Sequence, residues 1–234
     1  MLEFLIQIDR ALLLFLNGSH SLFADGMAVT LTNGMTWIPL YVALICVVVK
    51  NNESAKQTML TILAAVLCVL VTATFSELIT KPLVGRLRPA HDPSLAAVID
   101  ITRGIRGAGY SFFSSHAANT FGLAVFMSLL IRDRVFTVFM VGWSLVNCWT
   151  RLYLGVHYPS DILTGILFGG VVGFAVYVLY LKAYYLMSPK FNYISSHYTK
   201  TGYALSDLDI IYSVLTLTLL FAVFYSMLTA FQVF

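Results

Sequence analysis

The chain has 234 residues, of which 59% are hydrophobic and only 11% charged, and its mean hydropathy is +0.84. Soluble domains carry about 25% charged residues, so this composition excludes a water-covered globule and reads as an integral membrane protein. The net charge of +3 is too small a surplus to argue for nucleic acid, and at roughly 20 apolar residues per span one membrane-embedded unit over residues 1–234 is expected, without a sizeable soluble domain.

Residues 2–16 are apolar, with Glu3, Gln7, Arg10 and Asn17 along one helical stripe and Asp9 off it. Lacking a basic start and a small-residue cleavage site, this segment is expected to lie at the membrane surface as an amphipathic helix. Residues 27–49 run 23 positions without a charge, and residues 58–76 run 19 before Glu77; both are long enough to cross a bilayer. Two shorter runs, 117–131 and 135–150, are joined by Arg132, Asp133 and Arg134. Residues 162–181 and 210–234 add two more, separated by a polar stretch holding Lys182, Lys190, His197, Lys200, Asp207 and Asp209. The predicted fold class is all-α, a six-span transmembrane helical bundle with an N-terminal interfacial amphipathic helix.

Alternating spans put the turns 50–57, 132–134 and 182–209 on one side and the segments 77–116 and 151–161 on the other. The basic residues tie at seven on each side: Lys50, Lys56, Arg132, Arg134, Lys182, Lys190 and Lys200 against Arg10, Lys81, Arg86, Arg88, Arg103, Arg106 and Arg151. If the second set serves chemistry, the first marks the cytoplasm by the positive-inside rule, and the polar site faces outward. Gly165, Gly169 and Gly173 form a small-xxx-small stripe suited to close helix packing. Asn119 and Asn147 read as interhelical hydrogen-bond partners, and Cys46, Cys68 and Cys148 as buried inert thiols, without metal spacing.

A charge at the centre of a span costs about 2.5–3.5 kcal/mol, so clustered charges beside spans are a functional signal. Lys81, Arg86 and Arg88-Pro89 end the second apolar run, Ser114-Ser115-His116 opens the third, and Arg151, His157 and Asp161 join the fourth to the fifth. Cations, hydroxyls and two imidazoles on one face describe an anion site. Phosphate suits it, because arginine offers a planar fork of donors and lysine a compact charge, and a helix beginning after Ser114-Ser115 presents free N–H groups. Taken singly, each cation reads first as an interfacial anchor and each histidine as a cap or core residue; three clusters sharing one face make that reading much weaker jointly. Two histidines allow one neutral ring to attack phosphorus while a protonated one serves the leaving oxygen, and Asp161 has the spacing to hold the ring of His157. A metal held by His116, His157 and Asp161 is opposed by the surrounding cations.

The pattern resembles the three-part signature of the type 2 phosphatidic acid phosphatase (PAP2) superfamily: Lys81 with six intervening residues to Arg88-Pro89, then Ser114-Ser115-His116, then Arg151 with five residues to His157 and three to Asp161. Two positions depart from it. Phe113-Ser114-Ser115-His116 stands where the family usually has Pro-Ser-Gly-His, and Thr150 stands where a serine precedes the third-motif arginine. The resemblance implies a bacterial integral-membrane lipid phosphatase that needs no cofactor or metal. His157 would form a phosphohistidine, Asp161 would orient it and His116 would be the general acid. Lys81, Arg88, Ser114, Ser115 and Arg151 would bind the phosphate. Arg86, Arg103 and Arg106 lie outside the signature and read as solvated loop charges or contacts to a second phosphate.

The expected partners are a membrane lipid phosphate and the bilayer, with no nucleic acid and no obligatory protein partner. The expected location is a bacterial inner membrane, with the site on the periplasmic or outer side. Undecaprenyl pyrophosphate is the favoured substrate. Lipid A and phosphatidylglycerophosphate are alternatives, as are a lipid phosphotransferase and, from another class, an anion transporter, which would need polar residues deep in several spans.

Overall fold

A computed structural model describes residues 2–19, 21–95, 97–187 and 196–231; Lys190 and the last three residues of the sixth apolar run lie outside these. The described chain is helical: α1 (Leu2–Leu16), α2 (Leu22–Thr32), α3 (Ile38–Asn51), α4 (Ala55–Thr74), α5 (Lys81–Val84), α6 (Ser115–Ile131), α7 (Arg134–Tyr153), α8 (Pro159–Met187) and α9 (Leu205–Phe231). A π-helical turn, Phe75–Thr80, joins α4 to α5. Five segments are long and apolar enough to cross a bilayer: Gly34–Asn51, Ala55–His91, Arg134–Tyr153, Pro159–Met187 and Leu205–Phe231. The sixth pass falls to α6, whose 17 residues rise about 25 Å at ~1.5 Å each. It can be short because it is wrapped by α4, α7 and α8, and Phe126, Met127, Leu130 and Ile131 along it are buried. Leu83, Val138, Leu167 and Leu186 face outward, the inside-out apolar surface that a lipid environment permits.

The charge-free run 27–49 is not one helix. α2 ends at Thr32, Asn33 is extended, and a 3-10 turn, Gly34–Trp37, leads into α3. Side chains satisfy the freed backbone groups: Asn33 Oδ1 accepts from Met35 N at 3.0 Å, Thr36 Oγ1 donates to Thr30 O at 2.7 Å and Trp37 Nε1 donates to Leu31 O at 2.8 Å. Asn and Gly are weak helix formers, and apolar content measures length, not continuity.

The glycine stripe packs α8 onto α6. A Cβ on Gly169 would lie 2.3 Å from Ala118 O, and one on Gly173 would lie 2.4 Å from Gly122 O, so only glycine lets these backbones approach. The Gly169 contact ties the first turn of α6 to a point about three turns into α8, and Ser114 N, donating to Asp161 O at 3.1 Å, joins the two helix starts. Asn119 bridges helices as expected, accepting from Thr72 Oγ1 of α4 at 2.7 Å. Asn147 does not: its Nδ2 donates to Trp143 O within α7. Cys68 and Cys148 are buried, whereas Cys46 faces outward from α3.

The sidedness follows the expected parity. At one end Lys50 pairs with Asp207, Thr201 Oγ1 donates to Ile131 O at 2.8 Å, and Tyr212 Oη donates to Asp133 Oδ1 at 3.2 Å. At the other end α1 docks against α7, α8 and the loop after α5. Leu13 packs with Leu95, Ile99 and Tyr158, Arg10 pairs with Asp92 at 3.3 Å, and Asn17 bonds the backbone of Asp100 and Tyr153. The docked face corrects the sequence stripe, because Asp9, placed off it, is the buried polar residue of α1.

Candidate active site

Lys81, the first motif's lysine, follows directly on the π-helical turn and is 6% exposed. Its Nζ donates to Glu77 Oε1, one turn earlier on the same face, and to Ser115 Oγ at 3.2 Å. Ser115 also donates to Glu77 and shares a hydrogen bond with Ser76 at 2.9 Å. Glu77 is therefore a counterion inside the cationic cluster. Its position four residues before Lys81 is the sequence signal for this pairing.

Arg88 leaves the chain where α5 has ended at the left-handed Gly85. Its guanidinium is held by Ala108 O at 2.9 Å and Val156 O at 3.0 Å, and its Nη1 lies 3.3 Å from His157 Nε2. Backbone carbonyls thus aim a buried cation at the imidazole. His157 sits in the turn between α7 and α8 and is 1% exposed. Its Nδ1 faces Asp161 Oδ2 at 3.6 Å and Ser111 Oγ at 3.4 Å. Burial, aided by Arg88 and Arg151, outweighs the pull of Asp161 and pushes His157 down to about 4, so the ring is neutral at pH 7. Nδ1 is then the natural place for the proton, beside the carboxylate, leaving the Nε2 lone pair on the Arg88 side.

Asp161 is fully buried. Its Oδ2 accepts from Ser111 Oγ and from Tyr158 N at 3.0 Å, and its Oδ1 accepts from Arg86 Nη1 at 2.7 Å. Arg86 is therefore not a solvated loop charge: it lies in this cluster, stacked 3.7 Å over the Tyr158 ring. Arg103 and Arg106 are exposed.

Ser114 caps α6, its Oγ accepting from Ala117 N at 3.4 Å, and its own N–H is taken by Asp161 O at 3.1 Å. The hydroxyl is occupied by capping; what it orients is the helix end, where the N–H groups of Ser115 and His116 have no intrahelical acceptor. Phe113, in place of the family's usual proline, is buried against Phe168. Arg151, in the last turn of α7, donates from Nη1 to Thr32 Oγ1 at 2.5 Å. Its Nε is buried and has no partner among the described residues. Unmet buried donors are costly, and an anion oxygen is the group that would satisfy this one. Arg151, His157, Lys81 and Arg88 all lie within electrostatic reach of His116. His116 also stands on the wall of a cavity of about 510 Å³ among α3, α4, α6 and α7, lined mainly by apolar residues such as Trp37, Leu44, Val69 and Leu123. Every residue expected to form the site is thus at one end of the bundle. Ser111 and Asp9, which join it, carry no spacing that singles them out.

A family match and this geometry agree. The PAP2 superfamily profile covers residues 59–185, more than half of the chain, and the chain belongs to that superfamily; it is a membrane lipid phosphatase. More particularly, it is 40% identical over 184 residues to a lipid A 4′-phosphatase of Bacteroides thetaiotaomicron, across 76% of this chain and 80% of that protein. It is 32% identical to a lipid A 4′-phosphatase of Porphyromonas gingivalis, across 78% of this chain and 77% of the relative. A lipid A 1-phosphatase of Rhizobium etli is 31% identical over 47% of this chain and 48% of its own length. No solved structure matches. The preference for undecaprenyl pyrophosphate finds no support among these relatives, whereas the alternative of a lipid A phosphatase fits them.

Proposed function

We propose that this protein removes the 4′-phosphate of a lipid A-type glycolipid through a phosphohistidine. The observation that carries the substrate is the 40% identity, over 80% of its length, with a lipid A 4′-phosphatase. The apolar cavity beside His116 supports a substrate whose hydrocarbon stays in the membrane. On this reading residues 1–234 act as one unit in the inner membrane, and the seven basic residues of the turns at the Lys50 end mark the cytoplasm. The site then faces the periplasm.

In the reaction, Nε2 of neutral His157 attacks phosphorus while His116, which takes up a proton once the phosphate dianion offsets the cations around it, gives that proton to the leaving sugar oxygen. The P–N bond forms as the P–O bond breaks. Asp161 holds the Nδ1 proton and stabilises the positive ring that results. Lys81, Arg88, Arg151 and the first-turn N–H groups of α6, at Ser115 and His116, hold the three equatorial oxygens, where charge is spread in the transition state. Water then attacks phosphorus, His116 takes its proton, and the P–N bond breaks to release inorganic phosphate. Before substrate arrives, Glu77 balances Lys81, and phosphate oxygens displace it as acceptor.

The test is to incubate the purified protein with lipid A 1,4′-bisphosphate, undecaprenyl pyrophosphate and phosphatidylglycerophosphate, measuring free phosphate and the mass of each lipid product. Release from the 4′-position, lost in His157→Ala, is expected. Exclusive release from the 1-position or from another lipid overturns the substrate, and transfer to a lipid acceptor without free phosphate overturns hydrolysis.

A further inference from the structure

We infer that Asp9 of the N-terminal helix is a positioning residue for the His157–Asp161 pair, acting through Arg86. The inference rests on His157 being the nucleophile. Asp161 receives Arg86 Nη1 at 2.7 Å, closer than its 3.6 Å approach to His157. An uncompensated guanidinium there would draw the carboxylate's charge away from the ring it has to steady. Asp9 supplies the compensation: its Oδ2 takes the other arm, Arg86 Nη2, at 2.6 Å. The same carboxylate accepts from Ser160 N at 2.8 Å and Ser160 Oγ at 2.6 Å, and Ser160 Oγ also accepts Arg86 Nη1 at 2.7 Å. From His157 outward the groups therefore alternate: imidazole, carboxylate, guanidinium, carboxylate.

This arrangement is costly to build by accident. Asp9 is 9% exposed, and a buried carboxylate is tolerated only when fully paired. Apolar docking of α1 does not require it, since Leu13 one turn later already fills the contact with Leu95, Ile99 and Tyr158. What Asp9 adds is a grip on two things that set Asp161: the first turn of α8, through Ser160, and the charge and plane of Arg86, which also rests on the Tyr158 ring. Outer-shell partners of this kind typically change activity by about ten- to hundredfold when removed.

The experiment uses the full chain in detergent micelles with lipid A 1,4′-bisphosphate, measuring kcat, KM and inhibition by orthovanadate, a five-coordinate mimic of the transferring phosphoryl group, and by inorganic phosphate. Asp9→Asn keeps the acceptors for Ser160 but removes the charge. Its kcat is expected to fall about ten- to hundredfold with KM within about twofold, and vanadate inhibition should weaken in parallel while phosphate inhibition holds. Adding Asp9→Asn to Arg86→Gln should cost nothing beyond Arg86→Gln alone, because residues acting through one another are not additive. Arg10→Gln, which breaks only the half-exposed pair with Asp92, should match wild type. Wild-type kcat in Asp9→Asn, full additivity with Arg86→Gln, or an equal loss in Arg10→Gln would each overturn the role and leave α1 as a clasp. Should Asp9→Asn not purify folded, Arg86→Lys carries the question, because a single ammonium nitrogen cannot reproduce the two-armed fork that Arg86 extends to Asp161 and Asp9. At least a tenfold loss of kcat is expected there, and wild-type turnover refutes the relay. Absence of phosphate release by the wild type, or undiminished release by His157→Ala, would instead sink the phosphatase reading itself.

Discussion

Lys50 and Lys81 lie at opposite ends of the bundle, and each has one carboxylate partner. Lys50 pairs with Asp207, and its side chain is 52% exposed; Lys81 pairs with Glu77, and its side chain is 7% exposed. At the Lys50 end the cation is half exposed, its carboxylate is 15% exposed, and the pair ties turns together. At the Lys81 end they are held by carbonyls, hydroxyls and two shared carboxylates, in a place where an unpaired charge is costly. The same residue types thus make a solvated staple at one end and a preorganised anion site at the other. The difference is set by burial and by how many fixed partners aim each cation, not by charge count, since both ends carry several basic residues.

The sharpest way to break this contrast is His157→Ala. It removes a small ring from a turn and leaves the helix contacts in place, so the protein should purify folded while phosphate release falls by at least about a thousandfold, as when a covalent nucleophile is lost. Near-normal turnover would dissolve the distinction between the ends. Arg151→Gln comes next. Its Nε is a buried donor without a partner among the described residues, and losing one such transition-state donor costs about 10²–10³ in kcat, measured against KM on the same lipid. A loss in KM alone would make Arg151 an anchor for the substrate.

The pH profile tests burial directly. The folded-state value of His157 is pushed down to about 4 from an ordinary 6.5, so kcat/KM should rise through pH 4 and reach its plateau near about pH 5. A histidine at its ordinary value would leave activity at pH 5 about thirtyfold below plateau. The sign for stability is the same: between about 4 and 6.5 the unfolded chain binds the proton that the folded one refuses, so stability falls as pH drops through that window. An acid limb at 6.5 would mean that the site end is as wet as the Lys50 end.

Much of this contrast was legible in the sequence, and the illegible part has a physical pattern. Lys81, Arg88, His116, Arg151, His157 and Asp161 were readable because each has a fixed spacing and stands where an apolar span makes a charge expensive. The six-pass count, the sidedness and the glycine stripe followed from length, parity and period. The roles of Asp9, Arg86 and Ser111 escaped because they come from partners 50 to 77 positions away, such as Asp161 for Ser111 and Arg86 for Asp9, whereas Glu77 stands one turn from Lys81 and its pairing was legible. Hydropathy also hid the break at Asn33, since every residue from 27 to 49 is uncharged and only the helix-forming tendency of Asn33-Gly34 differs.

Gly169 sharpens the comparison through the fold. The contact it makes with Ala118 fixes how α8 lies along α6, whose first turns carry Asp161 and His116. Gly169→Ala places a methyl against backbone that cannot yield, an overpacking cost of about 1–3 kcal/mol. Because the displacement separates the two halves of the site, turnover should fall along with thermal stability. A variant that loses stability at full kcat would show that the site is set locally by its hydrogen bonds and not by the helix seam.

The smallest effect belongs to the staple. Lys50→Ala removes an ion pair whose lysine is half exposed, and such pairs contribute about 0–1 kcal/mol. Asp207 keeps a second partner in Asn51 Nδ2 at 3.0 Å, so it is not stranded. Thermal stability in detergent should drop by at most a few degrees, more at low salt than at high, and kcat on the lipid phosphate should be unchanged. A loss of activity here would mean that the two ends communicate through the length of the helices. Since Lys50 shares no hydrogen bond with any residue of the cationic cluster and lies a full span away from it, a rigid seam and not charge would have to carry that signal.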